Sequence, residues 1–317
     1  MITFLQETAL LALSLLSRTI PMMVAGVFVA ELIMAFNATA RISRISKPLT
    51  VWTSLHNECG ISFMMAFVSP KAANTMLAKY HRDGIITRRE MVIAALMNSF
   101  PNVMMHWRTL LPVYIPFLGL TGLFYFLILV FVGIIKTVIV MIVGRKILPT
   151  PDETKKNTPE EPPRPKWKEG TETALMASVA PLRQILLISV PTIVIVAALI
   201  NLGVFDTVAD VMQGFGSWFP VPAAGFAIIA AQFGSFIAGA SVASTLLAAG
   251  TLSPQEILIT LLVGNILTSA TRGIRWYGTS YAAIFGPRTG AIIQGLSTGL
   301  RVTIMIGVVA ILSFLWS

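Results

Sequence analysis

Long runs of hydrophobic residues alternate with short polar stretches along this chain. Four runs, at residues 20–36, 119–144, 185–202 and 302–316, are close to the length that a helix needs to cross a bilayer, roughly 17–25 residues. Shorter or interrupted runs lie between them, at residues 61–68, 91–105, 223–249 and 257–270. The pattern predicts an all-α fold, that of a polytopic helical membrane protein.

Composition supports this fold class. Of the 317 residues 55% are hydrophobic and 12% charged, whereas about 25% of the residues of an ordinary soluble chain are charged. The net charge of +9 then indicates orientation in a membrane and not nucleic-acid binding, because Lys and Arg accumulate on cytoplasmic loops. Cys59 is the one cysteine, which excludes an internal disulfide. The N-terminal segment carries Glu7 and lacks a basic leader, so we expect it to be retained and not cleaved as a signal peptide.

A polar stretch divides the chain near its middle. Residues 146–170 are rich in proline and in charges of both signs, which is typical of a solvated linker. We predict that this linker is cytoplasmic and joins two domains at residues 1–145 and 171–317.

The two predicted domains resemble each other. "ETAL" occurs at residues 7–10 and 172–175, and Pro21 and Pro191 each begin a long apolar segment. Further on, residues 83–100 align with 249–266, which pairs Gly84 with Gly250 and Glu90 with Glu256. Several matches in one order predict an internal repeat.

The distribution of charge predicts that the repeats are inverted. Residues 41–89 contain eight Lys and Arg residues, whereas 205–256 contain none. We predict helices at 20–40, 90–107 and 118–144, with the segment 60–84 too short to cross twice. That segment and its counterpart at 223–250 are interpreted as re-entrant hairpins that turn near Ser69-Pro70 and Ser235. Inverted repeats with broken helices are typical of secondary transporters.

A family resemblance agrees with this interpretation. The segment "FVSPKAANTMLAKYHRDGIITRREMVIAALMNSFPNVMMHWRTLLPVYIPFLGLTG" from Phe67 resembles the nucleoside-recognition or Gate domain family. Ferrous-iron permease membrane domains, spore-maturation membrane proteins and concentrative nucleoside transporters are related to that family. The resemblance implies an inverted-repeat membrane fold and solute translocation, but no particular substrate. A G-x-x-x-x-G-K-[ST] motif is missing, in contrast to the iron permeases, so we do not expect direct nucleotide-driven pumping by this chain.

Polar residues inside apolar segments are the candidate site, because ionisable groups at membrane depth are costly and usually functional. Aligning Pro21 with Pro191 places Glu31 opposite Asn201. Lys136 is expected to extend toward the cytoplasmic end of its helix, a structural role. The candidate solute-binding residues are Glu31, Asn57, Glu58, Asn98, Ser99, Asn201, Gln232, Ser235, Asn265, Thr268, Ser269 and Arg275. Within this set, we expect interrupted helices at Asn98-Ser99 and at Asn265 with Thr268-Ser269. Arg275, beside Trp276, is suited to bind a carboxylate or a phosphate group.

The stretch "HNECG" at residues 56–60 favours a second hypothesis. His56, Glu58 and Cys59 together suggest a divalent-metal site, because thiolate and imidazole ligands favour iron, copper or zinc over magnesium. The aligned stretch at 223–226 contains no such residues, so these three are weak candidates. A solute or proton contact and a packed hairpin end are the other interpretations, and buried packing is the expected role of Cys59.

Three functions are therefore weighed. The first is a transporter or facilitator in the prokaryotic cell membrane for a small polar solute, with anionic and nucleoside-like solutes both open. H⁺ or Na⁺ are possible coupling ions, no other cofactor is expected, and proton coupling would run through Glu31 or Glu58. The alternatives are a divalent-metal permease and a non-transporting membrane module with a partner protein. The expected partners are lipid, a small-molecule solute, and either further copies of this chain or another membrane protein. We expect no nucleic-acid binding and no enzymatic activity.

Overall fold

The fold is all-helical, as the hydrophobic pattern predicts. The computed structural model describes residues 2–35, 52–149, 167–202, 220–273 and 279–316, and no strand occurs within these ranges. The helices of the first half are α1 (Ile2–Ala35), α2 (Asn57–Met65), α3 (Pro70–Arg82), α4 (Arg88–Met97), α5 (Ser99–Met105), α6 (Trp107–Leu118) and α7 (Leu120–Ile147). Those of the second half are α8 (Trp167–Asn201), α9 (Gly225–Gly234), α10 (Phe236–Ala248), α11 (Pro254–Arg272), α12 (Thr279–Phe285) and α13 (Pro287–Trp316).

The helices α1 and α8 are the longest pair, and they pack against each other. Pro21 and Pro191 lie inside these helices, so the prediction that a proline begins each apolar helix was wrong. A proline inside a helix removes one backbone hydrogen bond, and neighbouring helices compensate for that loss in apolar bundles. The segment before each proline therefore continues the same helix.

Two helical hairpins turn where the sequence predicted a turn. The helix α2 packs against α3, and α9 against α10. Ser69 and Ser235 precede the second helix of each hairpin, and their side chains accept hydrogen bonds from the backbone N–H groups of Ala72 and Ile237. A serine at this position satisfies one of the backbone donors that every helix start leaves unpaired.

The ends of the hairpins are also alike. Gly84 and Gly250 have φ of +71° and +69°, a conformation that glycine adopts without steric cost. Each glycine is followed by a helix that begins with a capping box, Thr87 with Glu90 and Ser253 with Glu256. Reciprocal side-chain to backbone bonds of this kind fix the first turn of a helix.

The next helix is interrupted in the first half and continuous in the second. The helix α4 ends at Met97 and α5 begins at Ser99, as predicted, with Pro101 in the first turn of α5. In contrast, α11 continues through Asn265 and Ser269, so the predicted interruption there was wrong. Residues 263–270 contain no proline, and the hydroxyls of Thr268 and Ser269 donate to backbone carbonyls one turn earlier without opening the helix.

Two helices are long and apolar enough to cross a membrane, within the described part of the chain. They are α7 and α13, which pack against each other. The buried apolar residues form two clusters. One includes Val132 of α7 and Met305 of α13. The other includes Val140 of α7 and Ile293 of α13.

Candidate functional site

A group of polar side chains lies between the two hydrophobic clusters. On α7, Lys136 falls between Val132 of one cluster and Val140 of the other. On α13, Ser297 and Arg301 fall between Ile293 and Met305 in the same way. Together with Ser99 of α5 and Ser269 of α11, these residues are named the polar layer. Lys136 occupies the middle third of α7 and Arg301 the middle of α13, so the layer lies at mid-depth of both candidate spans.

Lys136 joins two halves of the chain. Its side chain is 4% exposed, and Nζ donates hydrogen bonds to the hydroxyls of Ser99 at 2.7 Å and Ser297 at 2.6 Å. The prediction that Lys136 extends to the end of its helix was therefore wrong. Its stem packs at the contact of α5, α7 and α13, and the two hydroxyls hold the ammonium group there. A lysine at the centre of a membrane helix costs about 2.5–3.5 kcal/mol on insertion scales, which argues for a functional reason.

Arg301 brings a second positive charge into the polar layer. Its Nη2 donates to the Ser269 hydroxyl at 2.6 Å, and it is close enough to Lys136 to act on it electrostatically. Ser269 in turn donates to the backbone carbonyl of Asn265. The layer thus combines hydroxyl groups with two cationic groups from α7 and α13.

Asn265 and Thr268 adjoin the polar layer on α11. The Asn265 amide donates to the Tyr125 hydroxyl on α7 at 2.8 Å, and the Thr268 hydroxyl donates to the Gly264 carbonyl. Both side chains are buried. Four of the predicted site residues, Ser99, Asn265, Thr268 and Ser269, are therefore brought to one region of the bundle.

Asn98 and Gln232 lie inside the hairpin regions. The Asn98 amide donates to the Ser62 hydroxyl at 3.0 Å and to Asn74 Oδ1 at 3.2 Å. Gln232 donates to the Leu261 carbonyl at 3.4 Å. The oxygens Asn98 Oδ1 and Gln232 Oε1 are buried without a hydrogen-bond partner among the described atoms.

These two amides fill equivalent spaces from opposite sides. Counted from the capping residues Glu90 and Glu256, Asn98 corresponds to Gly264, as in the alignment of residues 83–100 with 249–266. A Cβ on Gly264 would lie 1.9 Å from Gln232 Oε1, so the glycine leaves the room that the Gln232 amide occupies. Each half therefore places one amide between its hairpin and the following helix.

Glu31 is separate from the polar layer. It is 5% exposed, and both of its carboxylate oxygens accept hydrogen bonds from Nη2 of Arg108 on α6, at 2.9 Å and 2.7 Å. Asn201 does not lie opposite it: its amide donates to the Thr8 hydroxyl at the other end of α1. The buried positions Val27 and Glu31 of α1 correspond instead to Ile193 and Ala197 of α8, so a small residue stands where the sequence predicted a polar one.

The "HNECG" residues differ in burial and in their partners. His56 Nδ1 forms an ion pair with Glu90 Oε1, Cys59 is buried, and Asn57 is exposed beside the half-buried Glu58. Within the described ranges, no group of three or more His, Cys, Asp or Glu side chains is arranged to hold a metal ion. The metal site at His56, Glu58 and Cys59 stays a prediction, and the structure places His56 against Glu90 and buries Cys59.

The remaining candidates are Ser235 and Arg275. Ser235 caps α10 through its hydrogen bond with Ile237, a structural role. Arg275 lies outside the described residues.

Sequence reasoning missed four residues that the structure joins to candidate positions. Lys136 was assigned a structural role, and Arg108, Ser297 and Arg301 were not considered. The signal for Arg301 was present, since it is a charge in the middle of an apolar run at residues 291–316. Ser297 gave no signal of its own, because hydroxyl groups are common on membrane helices.

Known proteins provide one family match, over residues 16–121, and three similar proteins that cover most of the chain. Residues 16–121 match the family described as Gate, nucleoside recognition. Three uncharacterised proteins of Methanocaldococcus jannaschii are similar to this chain. The first is 29% identical and the match covers 94% of this chain and 95% of the relative. The second is 26% identical, over 90% of this chain and 89% of the relative, and the third is 24% identical, over 82% and 85% respectively. No solved structure matches this chain.

Proposed function

Because residues 16–121 match the Gate, nucleoside recognition family, we propose that this chain is an integral membrane transporter or facilitator for a small polar solute. The match indicates a membrane transport-related role, and the two candidate spans agree with it. We place the chain in the cell membrane with several crossings and the linker 146–170 in the cytoplasm. The proposal includes no enzymatic reaction.

The polar layer is the observation that carries this proposal. Ser99 and Lys136 come from the first half of the chain, and Ser269, Ser297 and Arg301 come from the second. Solute sites of secondary transporters lie near the middle of the bilayer, where two repeats meet. A polar layer between two apolar clusters has the position and the hydrogen-bonding groups of such a site.

The second part of the proposal is that the two halves are inverted repeats with re-entrant hairpins. The serine caps, the left-handed glycines and the capping boxes recur in the same order in both halves. The concentration of Lys and Arg in residues 41–89, against none in 205–256, favours opposite orientation. Alternating access would then move one repeat against the other around the polar layer.

Uptake into proteoliposomes tests the proposal. The full chain is purified, reconstituted and incubated with a mixture of carboxylates, phosphorylated compounds, amino acids, nucleosides and divalent metal salts, with and without H⁺ and Na⁺ gradients. We expect at least one organic solute to accumulate above the level of protein-free liposomes, as measured by mass spectrometry.

One variant tests the site, and a second is its matched control. Asn265→Ala removes the bond to Tyr125 and is expected to reduce uptake at least fivefold. Thr303→Ala removes an exposed hydroxyl of α13 that bonds only to its own helix, and uptake should stay at the wild-type level. Absence of any uptake would refute transport by this chain alone and favour a module with a partner, and uptake restricted to metal ions would favour the permease.

A further inference from the structure

We propose that the polar layer binds a small oxyanion, a carboxylate or a phosphate, between Lys136, Ser297 and Arg301. That this anion is also the transported solute rests on the function proposed above, whereas the binding site itself does not. The inference names the charge class of the ligand, which neither the family match nor the relatives provide.

The first argument is the sign of the charge. Lys136 is 4% exposed and bonds to Ser297, and Arg301, one turn beyond Ser297 on α13, acts on Lys136 electrostatically. The partners of Lys136 are two neutral hydroxyls, and no carboxylate of the described residues pairs with it. Water screens a charge poorly at this depth, and a bound anion would offset the charge of Lys136.

The second argument is the supply of hydrogen-bond donors. An ammonium group has three N–H donors, and Lys136 uses two of them on Ser99 and Ser297. Ser297 accepts from Lys136, and its own O–H has no acceptor among the described atoms. One N–H of Lys136 and the O–H of Ser297 therefore remain available at neighbouring positions, which suits two oxygens of one carboxylate or phosphate.

The third argument is the arrangement of the serines. Ser99 and Ser269 donate their hydroxyl hydrogens to the carbonyls of Leu96 and Asn265 and accept from Lys136 and Arg301. They hold the two cationic groups without competing for the anion. A divalent cation is disfavoured at this place, because it would meet two positive charges and donors instead of ligand oxygens.

Binding is tested on the purified full-length protein in detergent, in a buffer with a large, weakly binding anion. The probes are sodium acetate, its neutral isostere acetamide, and inorganic phosphate, each titrated while thermal unfolding is recorded. We expect acetate or phosphate to raise the unfolding temperature in a saturable manner, and acetamide to have no effect at the same concentration.

Variants connect this binding to the polar layer. Lys136→Met should weaken the oxyanion effect at least tenfold, and Ser297→Ala at least threefold. Lys136→Arg should keep it within about threefold, because it keeps the charge and the donors. The matched control is Lys146→Met, which removes an exposed lysine from the last turn of the same helix and should leave the titration unchanged.

Several outcomes would overturn the inference. Absence of a saturable effect of either oxyanion would do so, as would equal effects of acetate and acetamide, or a wild-type titration in Ser297→Ala and Lys136→Met. If Lys136→Met does not fold, the oxyanion titrations of Ser297→Ala and Lys136→Arg test the inference. Oxyanion binding without uptake would refute the transport proposal alone, and uptake of a neutral solute without oxyanion binding would refute this inference alone.

Discussion

At the scale of the residue, buried polar groups divide into those that hold helices together and those that remain available for a ligand. Glu31 belongs to the first kind, because both of its oxygens are engaged by Arg108 across the α1–α6 contact. Lys136 belongs to the second, because its two neutral hydroxyl partners take two of its three N–H donors and do not balance its charge. Proton coupling through Glu31 would first require that its bond to Arg108 be broken.

The ion pair of Glu31 and Arg108 yields a prediction about stability. Arg108→Gln leaves the buried carboxylate without its partner, which costs about 3–5 kcal/mol in a fully buried pair. Since the Arg108 side chain is 34% exposed, we expect about 2–3 kcal/mol. The thermal unfolding midpoint in detergent measures the loss, with Arg82→Gln on the exposed face of α3 as the control.

The double variant separates the two contributions. Glu31→Gln with Arg108→Gln removes the unpaired charge, so its unfolding midpoint should lie above that of Arg108→Gln alone. A lower midpoint in the double variant would contradict the interpretation of Glu31 as a charge held by Arg108.

At the scale of the element, the two halves use the same local chemistry to end a hairpin and begin a helix. Thr87 and Ser253 cap the next helix, and Glu90 and Glu256 return a bond to the capping residue. The capping box of the first half has one further contact, because Glu90 also bonds to His56 at the start of α2. This bond ties the first hairpin to α4, and it explains His56 without a metal.

The difference between the two boxes gives a second prediction. Glu256→Ala removes only the bonds to Ser253, and we expect a loss of about 1 kcal/mol, typical of a helix cap. Glu90→Ala also removes the His56 contact and should cost more. Equilibrium unfolding in detergent should show that His56→Ala destabilises the wild type but adds nothing to Glu90→Ala. An equal effect of His56→Ala in both backgrounds would argue against the contact.

At the scale of the whole molecule, the polar layer separates two apolar clusters along both α7 and α13. Gln232 in one half and Asn98 in the other place one amide in each half between the hairpin and the next helix. This recurrence supports the proposal that the halves are repeats.

Labelling from one side of the membrane tests the inverted arrangement. Asp83 and Ala249 are exposed residues that directly precede the equivalent glycines Gly84 and Gly250. In a Cys59→Ser background, Asp83→Cys and Ala249→Cys are treated with a membrane-impermeant maleimide in oriented vesicles. We expect the two positions to react from opposite faces. Reaction of both from the same face would refute the inversion and leave the site contacts unaffected.

Much of this molecule follows from the sequence alone. Apolar runs, glycines, prolines and serine caps act over a few residues, and they determine the helices, the turns at Ser69 and Ser235 and the break before Ser99. They also identify Ser99, Asn265, Thr268 and Ser269 as polar groups inside apolar helices. These features depend on local periodicity and backbone hydrogen bonds, which a linear pattern records.

The tertiary structure decided which polar groups meet. Lys136 contacts Ser297, Arg301 contacts Ser269, and Glu31 contacts Arg108, and each pair is far apart in sequence. The positions of α1 and α8 that correspond to each other are those that are buried in both helices. Ala197, and not Asn201, therefore corresponds to Glu31. A charge in an apolar run has the same appearance in a sequence whether it extends to the membrane surface or is buried. Only the packing of other helices around Lys136 distinguishes these two cases, because burial depends on neighbours that the local pattern does not specify.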